Sequence, residues 1–300
     1  MTLQLTRRSF LTALGASAAA SALPSFAAEH AAKLKFGYAA ITWGNAERQA
    51  IDDIAAVGYK GIQLRAPALK EFKAAELKDL LAQHHLTFTA LSSGDVTVDK
   101  PAEDQIATHV SHAQFVKDAG GLYMQILDTG KPYPRTATKD ECVRLGKMLT
   151  ELGKRTADIG IPLAYHNHMN TLSEHPQNLD IILENSDREY VKLLLDTGHM
   201  VAGGGDPANA IDRYHDRMIF LHLKDVVQAP ATAPGRYPFK WVELGRGKVD
   251  FNAVFAALDR VRWNGWAVVE LDSVPEPGRT KKESAIISRD FLEQKFGFKV

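Results

Sequence analysis

The chain has 300 residues, of which 45% are hydrophobic and 24% are charged, an ordinary composition for a globular protein. Its 36 basic and 36 acidic residues cancel, which argues against a nucleic-acid partner, because such proteins carry an excess of positive charge. The single cysteine, Cys142, has no partner for an intramolecular disulfide.

The first 27 residues have the pattern of an export signal. Arg7 and Arg8 precede an uncharged run over residues 12–23, and small residues follow up to Ala27. An arginine pair followed by Phe-Leu resembles the twin-arginine signal. This pattern predicts passage through the twin-arginine export machinery, cleavage near Ala27 and a periplasmic location. The apolar run is too short to span a bilayer, so we expect no stable membrane insertion.

From residue 34 onward, eight predicted strands alternate with segments of helical periodicity. Leu145, Met148, Leu149 and Leu152, for example, form an apolar face with spacings of three and four residues. The strands are apolar without alternation, which is typical of a parallel sheet covered on both faces. They occupy residues 34–41, 61–65, 86–91, 122–128, 163–168, 191–196, 218–223 and 266–271.

Eight strand–helix units in this length predict an α/β fold, a single-domain (β/α)8 TIM barrel over residues 34–300. A doubly wound open sheet is the alternative. It needs a glycine-rich phosphate turn after the first strand, and residues 42–45, Thr-Trp-Gly-Asn, are not such a turn. Residues 228–248 are rich in proline, glycine and arginine, and we expect them to form a mobile loop over the pocket.

Four predicted strands end in polar residues that bind metals. These residues are His166, Asp196, His222 and Glu270. Because the C-terminal strand ends of a barrel surround one rim, the four side chains are predicted to converge on one point. Carboxylate oxygens with imidazole nitrogens suit Mn²⁺, Fe²⁺, Co²⁺ or Zn²⁺ better than Ca²⁺. For each residue taken alone, a hydrogen bond to a loop is an equally good interpretation.

Three segments around these residues resemble a known superfamily. They are residues 195–200 (Leu-Asp-Thr-Gly-His-Met), 222–225 (His-Leu-Lys-Asp) and 269–270 (Val-Glu). They are similar to the xylose isomerase-like superfamily, which includes sugar isomerases and epimerases, tagatose epimerase-like enzymes, inosose dehydratases and endonuclease IV-type DNA repair enzymes. The resemblance extends over essentially all of the chain after the leader and implies a pocket for a small carbohydrate.

In the sugar epimerases of this superfamily, a Glu, an Asp, a His and a Glu at the ends of strands five to eight hold the metal. The resemblance assigns Asp196, His222 and Glu270 to the last three positions, whereas the first falls on His166. Inosose dehydratase-like members carry a similar His-X-His segment at this place. Mn²⁺ is the expected metal, with Co²⁺, Fe²⁺, Zn²⁺ and Mg²⁺ as alternatives.

The resemblance therefore implies a metal-dependent isomerase or epimerase that removes a proton next to the carbonyl of a keto-sugar or related polyol. The change to His166 keeps a dehydratase or lyase acting on an inosose or a 3-keto-glycoside as the alternative. A second alternative is a non-catalytic periplasmic sugar-binding protein. The balanced charge disfavours the DNA repair branch, and a homo-oligomer stays open.

The resemblance also suggests roles for single residues. Glu270 or His166 removes the proton, and Lys224 stabilises the oxyanion or protonates a leaving group. His168 is either a second ligand candidate or a substrate contact. Each of these residues also has a structural interpretation, as a packed or salt-bridged side chain. The predicted substrate contacts are His199, His168, Trp43, Arg65 and Arg246.

Overall fold

The computed structural model describes residues 33–129, 136–229 and 238–300. The predicted export signal, residues 1–27, lies outside this part of the chain. Within it no helix is both long enough and apolar enough to cross a membrane. The described residues form ten strands, namely β1 (Leu34–Ala39), β2 (Gly61–Arg65), β3 (Thr87–Val96), β4 (Tyr123–Asp128), β5 (Leu163–His166), β6 (Val191–Asp196), β7 (Met218–Leu223), β8 (Asp225–Gln228), β9 (Phe239–Val242) and β10 (Gly265–Val269).

Helices follow the barrel strands along the chain, and a short 3-10 turn, Ala40–Trp43, follows β1. Capping boxes begin the α-helices that follow the fourth and the last barrel strands, with Thr138 and Thr280 as N-caps. The α-helices are α1 (Glu47–Val57), α2 (Ala68–Glu71), α3 (Ala74–Gln83), α4 (Ala102–Asp118), α5 (Lys139–Ile159), α6 (Pro176–Glu184), α7 (Thr197–Ala202), α8 (Pro207–Tyr214), α9 (Phe251–Arg260) and α10 (Lys281–Phe296).

The strands β1 to β7 and β10 close into one barrel in the order β1-β10-β7-β6-β5-β4-β3-β2, and all neighbours are parallel. Unbroken apolar strands form such a barrel because both faces are buried, against the interior and against the helices. The predicted single-domain TIM barrel is confirmed.

The third strand is longer than predicted. It continues through the polar residues Ser92, Ser93 and Gly94 to Val96, which pairs with β4. The register shifts between Ser92 and Asp95, and Gly94 adopts a φ of 110° within the shift, a conformation that favours glycine. This irregularity lets a segment that reads as a turn remain part of the barrel.

The stretch predicted as a mobile loop over the pocket begins at the last residue of β8 and contains the whole of β9. The strands β8 and β9 pair as an antiparallel hairpin. Behind them the buried Asp225 carboxylate accepts hydrogen bonds from the backbone N–H groups of Gly245, Gly247 and Val249. A Cβ at Gly247 would lie 2.1 Å from Asp225 Oδ1, so this turn requires glycine. The hairpin is therefore tied to the barrel rim.

Candidate active site

The ends of four barrel strands bring four potential metal ligands together. His166 Nε2, Asp196 Oδ2, His222 Nδ1 and Glu270 Oε2 belong to one buried group whose ligand atoms all lie within 4.8 Å of one another. Asp196 Oδ2 is 3.5 Å from His166 Nε2 and 3.4 Å from His222 Nδ1, which is 3.2 Å from Glu270 Oε2. We call these four residues the ligand cluster.

The ladder between β6 and β7 explains why two of these residues are neighbours. Asp196 pairs directly with His222 in the parallel register, so both side chains point to the same face. The backbone of Asp196 is further held by Asn167, whose Oδ1 accepts from the Asp196 N–H at 2.8 Å. Asp196 Oδ1 caps α7 by accepting from the His199 N–H, which leaves Oδ2 directed at the cluster.

The ligand cluster contains buried polar atoms that its protein surroundings do not satisfy. Considering only the residues that the structure describes, His166 Nε2, Asp196 Oδ2 and His222 Nδ1 have no hydrogen-bond partner. An unsatisfied buried polar group costs about 1–3 kcal/mol, so three of them side by side need an explanation. One cation that accepts an electron pair from each atom would satisfy all three at once.

The charges around the cluster also fit a divalent cation. Burial raises the pKa of Glu270, but His222 and Lys224 outweigh burial and bring it to about 2. Burial likewise opposes ionisation of Asp196, but His199, His166, His222 and Lys224 hold its pKa well below the usual range. With Asp272, which contacts Lys224, three carboxylates face one ammonium group. This excess of two negative charges matches the charge of one divalent ion.

Lys224 is fully buried beside the cluster. Its Nζ lies 2.8 Å from Glu270 Oε1 and 2.5 Å from Asp272 Oδ1, and it lies 4.6 Å from the centre of the Trp241 ring. Burial lowers the pKa of Lys224, but Asp272 and Glu270 more than compensate and raise it above its ordinary value. The residue is therefore an ammonium ion that touches one cluster carboxylate and one aromatic face.

Two further histidines line the cluster on the side of Lys224. The His168 and His199 rings are 3.7 Å apart between centroids, and both lie within 5.6 Å of the His166 ring. Burial lowers the pKa of His168 to about 3 and that of His199 well below its usual range. His199 Nδ1 accepts from the Met169 N–H, whereas its Nε2 is 3.2 Å from Lys224 Nζ. The Met169 N–H occupies the electron pair of Nδ1, and the nearby Lys224 ammonium disfavours a positive charge on the ring, so the imidazole stays neutral.

Two buried glutamines lie behind the cluster. Gln63 Oε1 is 2.7 Å from His222 Nε2, Gln63 Nε2 donates to Gln125 Oε1 at 3.0 Å, and Gln125 Nε2 is 3.1 Å from His166 Nδ1. The outer nitrogen of each cluster imidazole therefore has a hydrogen-bond partner. Partners of this kind orient metal-binding imidazoles and select their tautomer.

Three of the predicted substrate contacts lie outside this group. Trp43 is 1% exposed, and its Nε1 donates to Asp53 on α1, so the indole packs in the core and its predicted sugar contact stays a prediction. Arg65 donates to the backbone carbonyl of the turn after β1. Arg246 is 46% exposed and its guanidinium is 3.9 Å from Glu243. Neither arginine reaches the ligand cluster, because each is held by a nearer partner.

Three residues join the site without having been predicted as site residues, namely Gln125, Trp241 and Asp272. Trp241 lies on β9, and its ring centre is 4.5 Å from that of His199. The hairpin thus brings an aromatic face to the site. The glutamines carried one signal, since each is a polar residue inside an apolar strand.

The chain resembles enzymes of sugar metabolism over most of its length. The inosose dehydratase of Lacticaseibacillus casei is 28% identical over 275 residues, covering 81% of this chain and 91% of that protein. The inosose dehydratase of Clostridium beijerinckii (strain ATCC 51743 / NCIMB 8052) is 26% identical over 299 residues, covering 89% of this chain and 98% of that protein.

Solved structures show the same fold. The structure of the IOLI protein with a binding zinc atom superposes with a TM-score of 0.73 at 20% identity, covering 88% of this chain and 98% of that one. L-ribulose 3-epimerase superposes with a TM-score of 0.71 at 17% identity, covering 88% and 95%. The model of the family described as xylose isomerase-like TIM barrel matches residues 51–294. This chain therefore belongs to the xylose isomerase-like TIM barrel family.

Proposed function

We propose that the protein is a divalent-metal-dependent dehydratase. It removes water from an inosose or a similar cyclic keto-polyol after taking the proton next to the ketone. The observation that carries the proposal is the ligand cluster with an imidazole, His166, at the end of β5. Sugar epimerases of the resembled superfamily have a glutamate there. Relatives aligned over most of the chain that carry the name inosose dehydratase support the same reaction.

The four cluster residues His166, Asp196, His222 and Glu270 are the proposed holders of the metal, and their orphaned inner atoms support this assignment. A bound divalent ion supplies Lewis-acid stabilisation of the negative charge that develops on the ketone oxygen. Mn²⁺ is proposed first, with Co²⁺, Fe²⁺, Zn²⁺ and Mg²⁺ as alternatives, because the mixed nitrogen and oxygen donors suit several of these ions.

Glu270 and Lys224 form the proposed proton-transfer pair. The Glu270 carboxylate accepts the proton from the carbon next to the ketone, and the Lys224 ammonium gives a proton to the departing hydroxyl, which leaves as water. One C–H and one C–O bond break, and a C=C bond forms. The carboxyl and the amine then exchange a proton along their 2.8 Å contact, which restores both charges without exchange with solvent. His166 is the alternative base.

The substrate lies, in this proposal, against His168, His199 and Trp241. These three side chains form one wall of the site, and Trp241 presents an aromatic face of the kind that packs against the C–H groups of a sugar ring. His168 Nδ1 donates to the Met169 carbonyl oxygen, so its Nε2 offers an electron pair to a ring hydroxyl. This wall replaces Trp43, Arg65 and Arg246 as the proposed substrate-binding surface.

An isomerase or epimerase is the second candidate. It is favoured by Asp196, His222 and Glu270, which occupy three of the four ligand positions that the resemblance assigns to sugar epimerases. Such an enzyme needs a proton-transfer group on each face of the planar intermediate. In this chain the second group is His166 instead of a carboxylate.

We also propose export to the periplasm through the twin-arginine machinery, supported by the paired Arg7 and Arg8 before an uncharged run. Cleavage is expected near Ala27. Periplasmic and cytoplasmic fractions of an expressing cell, probed with an antibody, test this proposal. Full-length protein confined to the cytoplasm would contradict it.

The reaction is tested by incubating the manganese-loaded protein with inososes and 3-keto-glycosides in D₂O. A dehydratase forms an unsaturated ketone that absorbs in the ultraviolet, whereas an epimerase incorporates deuterium without new absorbance. We expect absorbance from the unaltered protein and its loss in Glu270→Gln, because the proton acceptor is removed. The matched control is Glu293→Gln on α10, whose carboxylate is exposed and 3.8 Å from Arg289. Deuterium exchange alone would establish the second candidate instead.

A further inference from the structure

The two glutamines behind the cluster form a continuous hydrogen-bond bridge between its histidines. The bridge runs from His222 Nε2 through Gln63 and Gln125 to His166 Nδ1, with contacts of 2.7, 3.0 and 3.1 Å. Both glutamines are 2% exposed, so water does not compete for these contacts. Gln63 lies on β2, Gln125 on β4, His166 on β5 and His222 on β7, which places the bridge inside the barrel.

A bridge of two amides has a direction. Each amide uses its oxygen, an acceptor, toward one neighbour and its NH₂ group, a donor, toward the other. If His222 donates to Gln63, then Gln63 donates to Gln125, and Gln125 donates to His166. Reversing both amides reverses every bond. In either sense one imidazole donates to the bridge and the other accepts from it, because reversing one amide alone would set two oxygens or two NH₂ groups against each other.

The inner nitrogens therefore differ. A neutral imidazole has one N–H and one free electron pair. The histidine that donates to the bridge presents a free electron pair to the cluster, whereas the histidine that accepts presents an N–H. The number of protons is the same in both senses, and only their positions differ.

We propose that Gln63 and Gln125 are positioning residues that allow only one cluster histidine to be a metal ligand. The orientation of the amides in the structure decides the direction of the bridge. Gln63 presents its oxygen to His222, so His222 Nε2 donates and His222 Nδ1 holds the free electron pair. His166 Nδ1 accepts from Gln125, and its Nε2–H points toward Asp196 Oδ2, 3.5 Å away. Both histidines are thus Nε2–H tautomers.

This inference refines the proposed function, and what it implies for the metal rests on that function. Asp196, His222 and Glu270 become the three protein ligands, and a catalytic metal with three protein ligands keeps a position open for substrate. His166, one of the four holders proposed above, then donates toward Asp196 Oδ2 instead of binding the metal. The tautomers themselves are measured without any metal, so the failure of either proposal is distinguishable from failure of the other.

The test uses the full chain labelled with ¹⁵N-histidine, stripped of metal and held at pH 8.5. Long-range ¹H–¹⁵N correlation spectra distinguish Nδ1–H from Nε2–H tautomers. The signals among the chain's 11 histidines are assigned with His166→Gln and His222→Gln. We expect the Nε2–H tautomer for both. Opposite tautomers, or a shared Nδ1–H tautomer, would overturn the proposal.

A variant tests the cause. In Gln125→Glu, the new carboxylate accepts hydrogen bonds from both of its neighbours when it is ionised. Its ¹³C chemical shift verifies that it is ionised during the measurement. His166 is then expected to change to Nδ1–H while His222 keeps Nε2–H, and Zn²⁺ added to this variant is expected to gain a second imidazole ligand by X-ray absorption. Gln125→Met, which neither donates nor accepts strongly, controls for the loss of shape. An unchanged His166 tautomer in the ionised variant would refute the bridge.

Discussion

Replacement of Lys224 by methionine tests whether the buried ammonium compensates the carboxylates of the site. Methionine fills a similar volume but leaves Glu270 and Asp272 without the cation that lies 2.8 and 2.5 Å from them. Removing one partner of a buried ion pair costs about 3–5 kcal/mol. A change of 1 kcal/mol shifts Tm by about 2–4 °C in a chain of this order of size, so Tm is expected to fall by about 6–20 °C.

The Lys224→Met experiment has two measurements. Thermal unfolding of metal-free protein gives the fall in Tm, and titration with Mn²⁺ gives its recovery. Recovery in Lys224→Met is expected to exceed that of the unaltered protein, because the variant has an excess of three negative charges instead of two. Lys295→Met, at an exposed position on α10, is the control. A fall in Tm no larger than the control's, together with full activity, would refute the reasoning.

Three further predictions concern other parts of the molecule. Burial raises the pKa of Glu47 to about 7, so the folded state binds this proton more tightly than the unfolded state between pH 4.5 and 7 and loses stability as the pH rises through that range. Glu47→Gln should therefore stabilise the protein by up to about 3 kcal/mol at pH 8 but hardly at pH 4.5, by urea unfolding; equal effects at both values would contradict this. Gly247→Ala should cost about 1–3 kcal/mol and weaken substrate binding, because its Cβ would meet Asp225 Oδ1 at 2.1 Å, whereas Lys248→Ala should change neither stability nor KM. Chelation of a bound metal should lower Tm, and readdition should restore it. The loss of stability is about 2.7 kcal/mol if the metal was present at a hundred times its Kd. An unchanged Tm in calorimetry would count against a metal site in the folded state.

The barrel and the ligand cluster were predictable for the same reason. Apolar strands without alternation belong to a parallel sheet covered on both faces, and the C-terminal strand ends of a closed barrel meet at one rim. His166, Asp196, His222 and Glu270 end such strands, so their convergence follows once the fold is known. Their roles in catalysis stay proposals.

Other features depend on geometry that sequence patterns do not contain. The contact between Gln63 and Gln125 joins β2 to β4 across the interior, and it depends on the shear of the closed barrel. Trp241 reaches the site through an antiparallel hairpin in a stretch whose composition suggested only a loop. Trp43 shows the opposite case, because its position after β1 suggested a sugar contact whereas the 3-10 turn directs its ring into the core.

The central claim is that the ligand cluster holds one divalent metal ion, and metal occupancy tests it most directly. The protein is reconstituted with Mn²⁺, Co²⁺ or Zn²⁺, freed of excess ion, and analysed by mass spectrometry of the metal. We expect one ion per chain in the unaltered protein and in Asp212→Asn, whose exposed carboxylate pairs with Arg260. Asp196→Asn is expected to lose the ion, because Asp196 Oδ2 is the oxygen that lies between both cluster imidazoles. Equal metal content in Asp196→Asn and the unaltered protein, or none in either, would contradict the account.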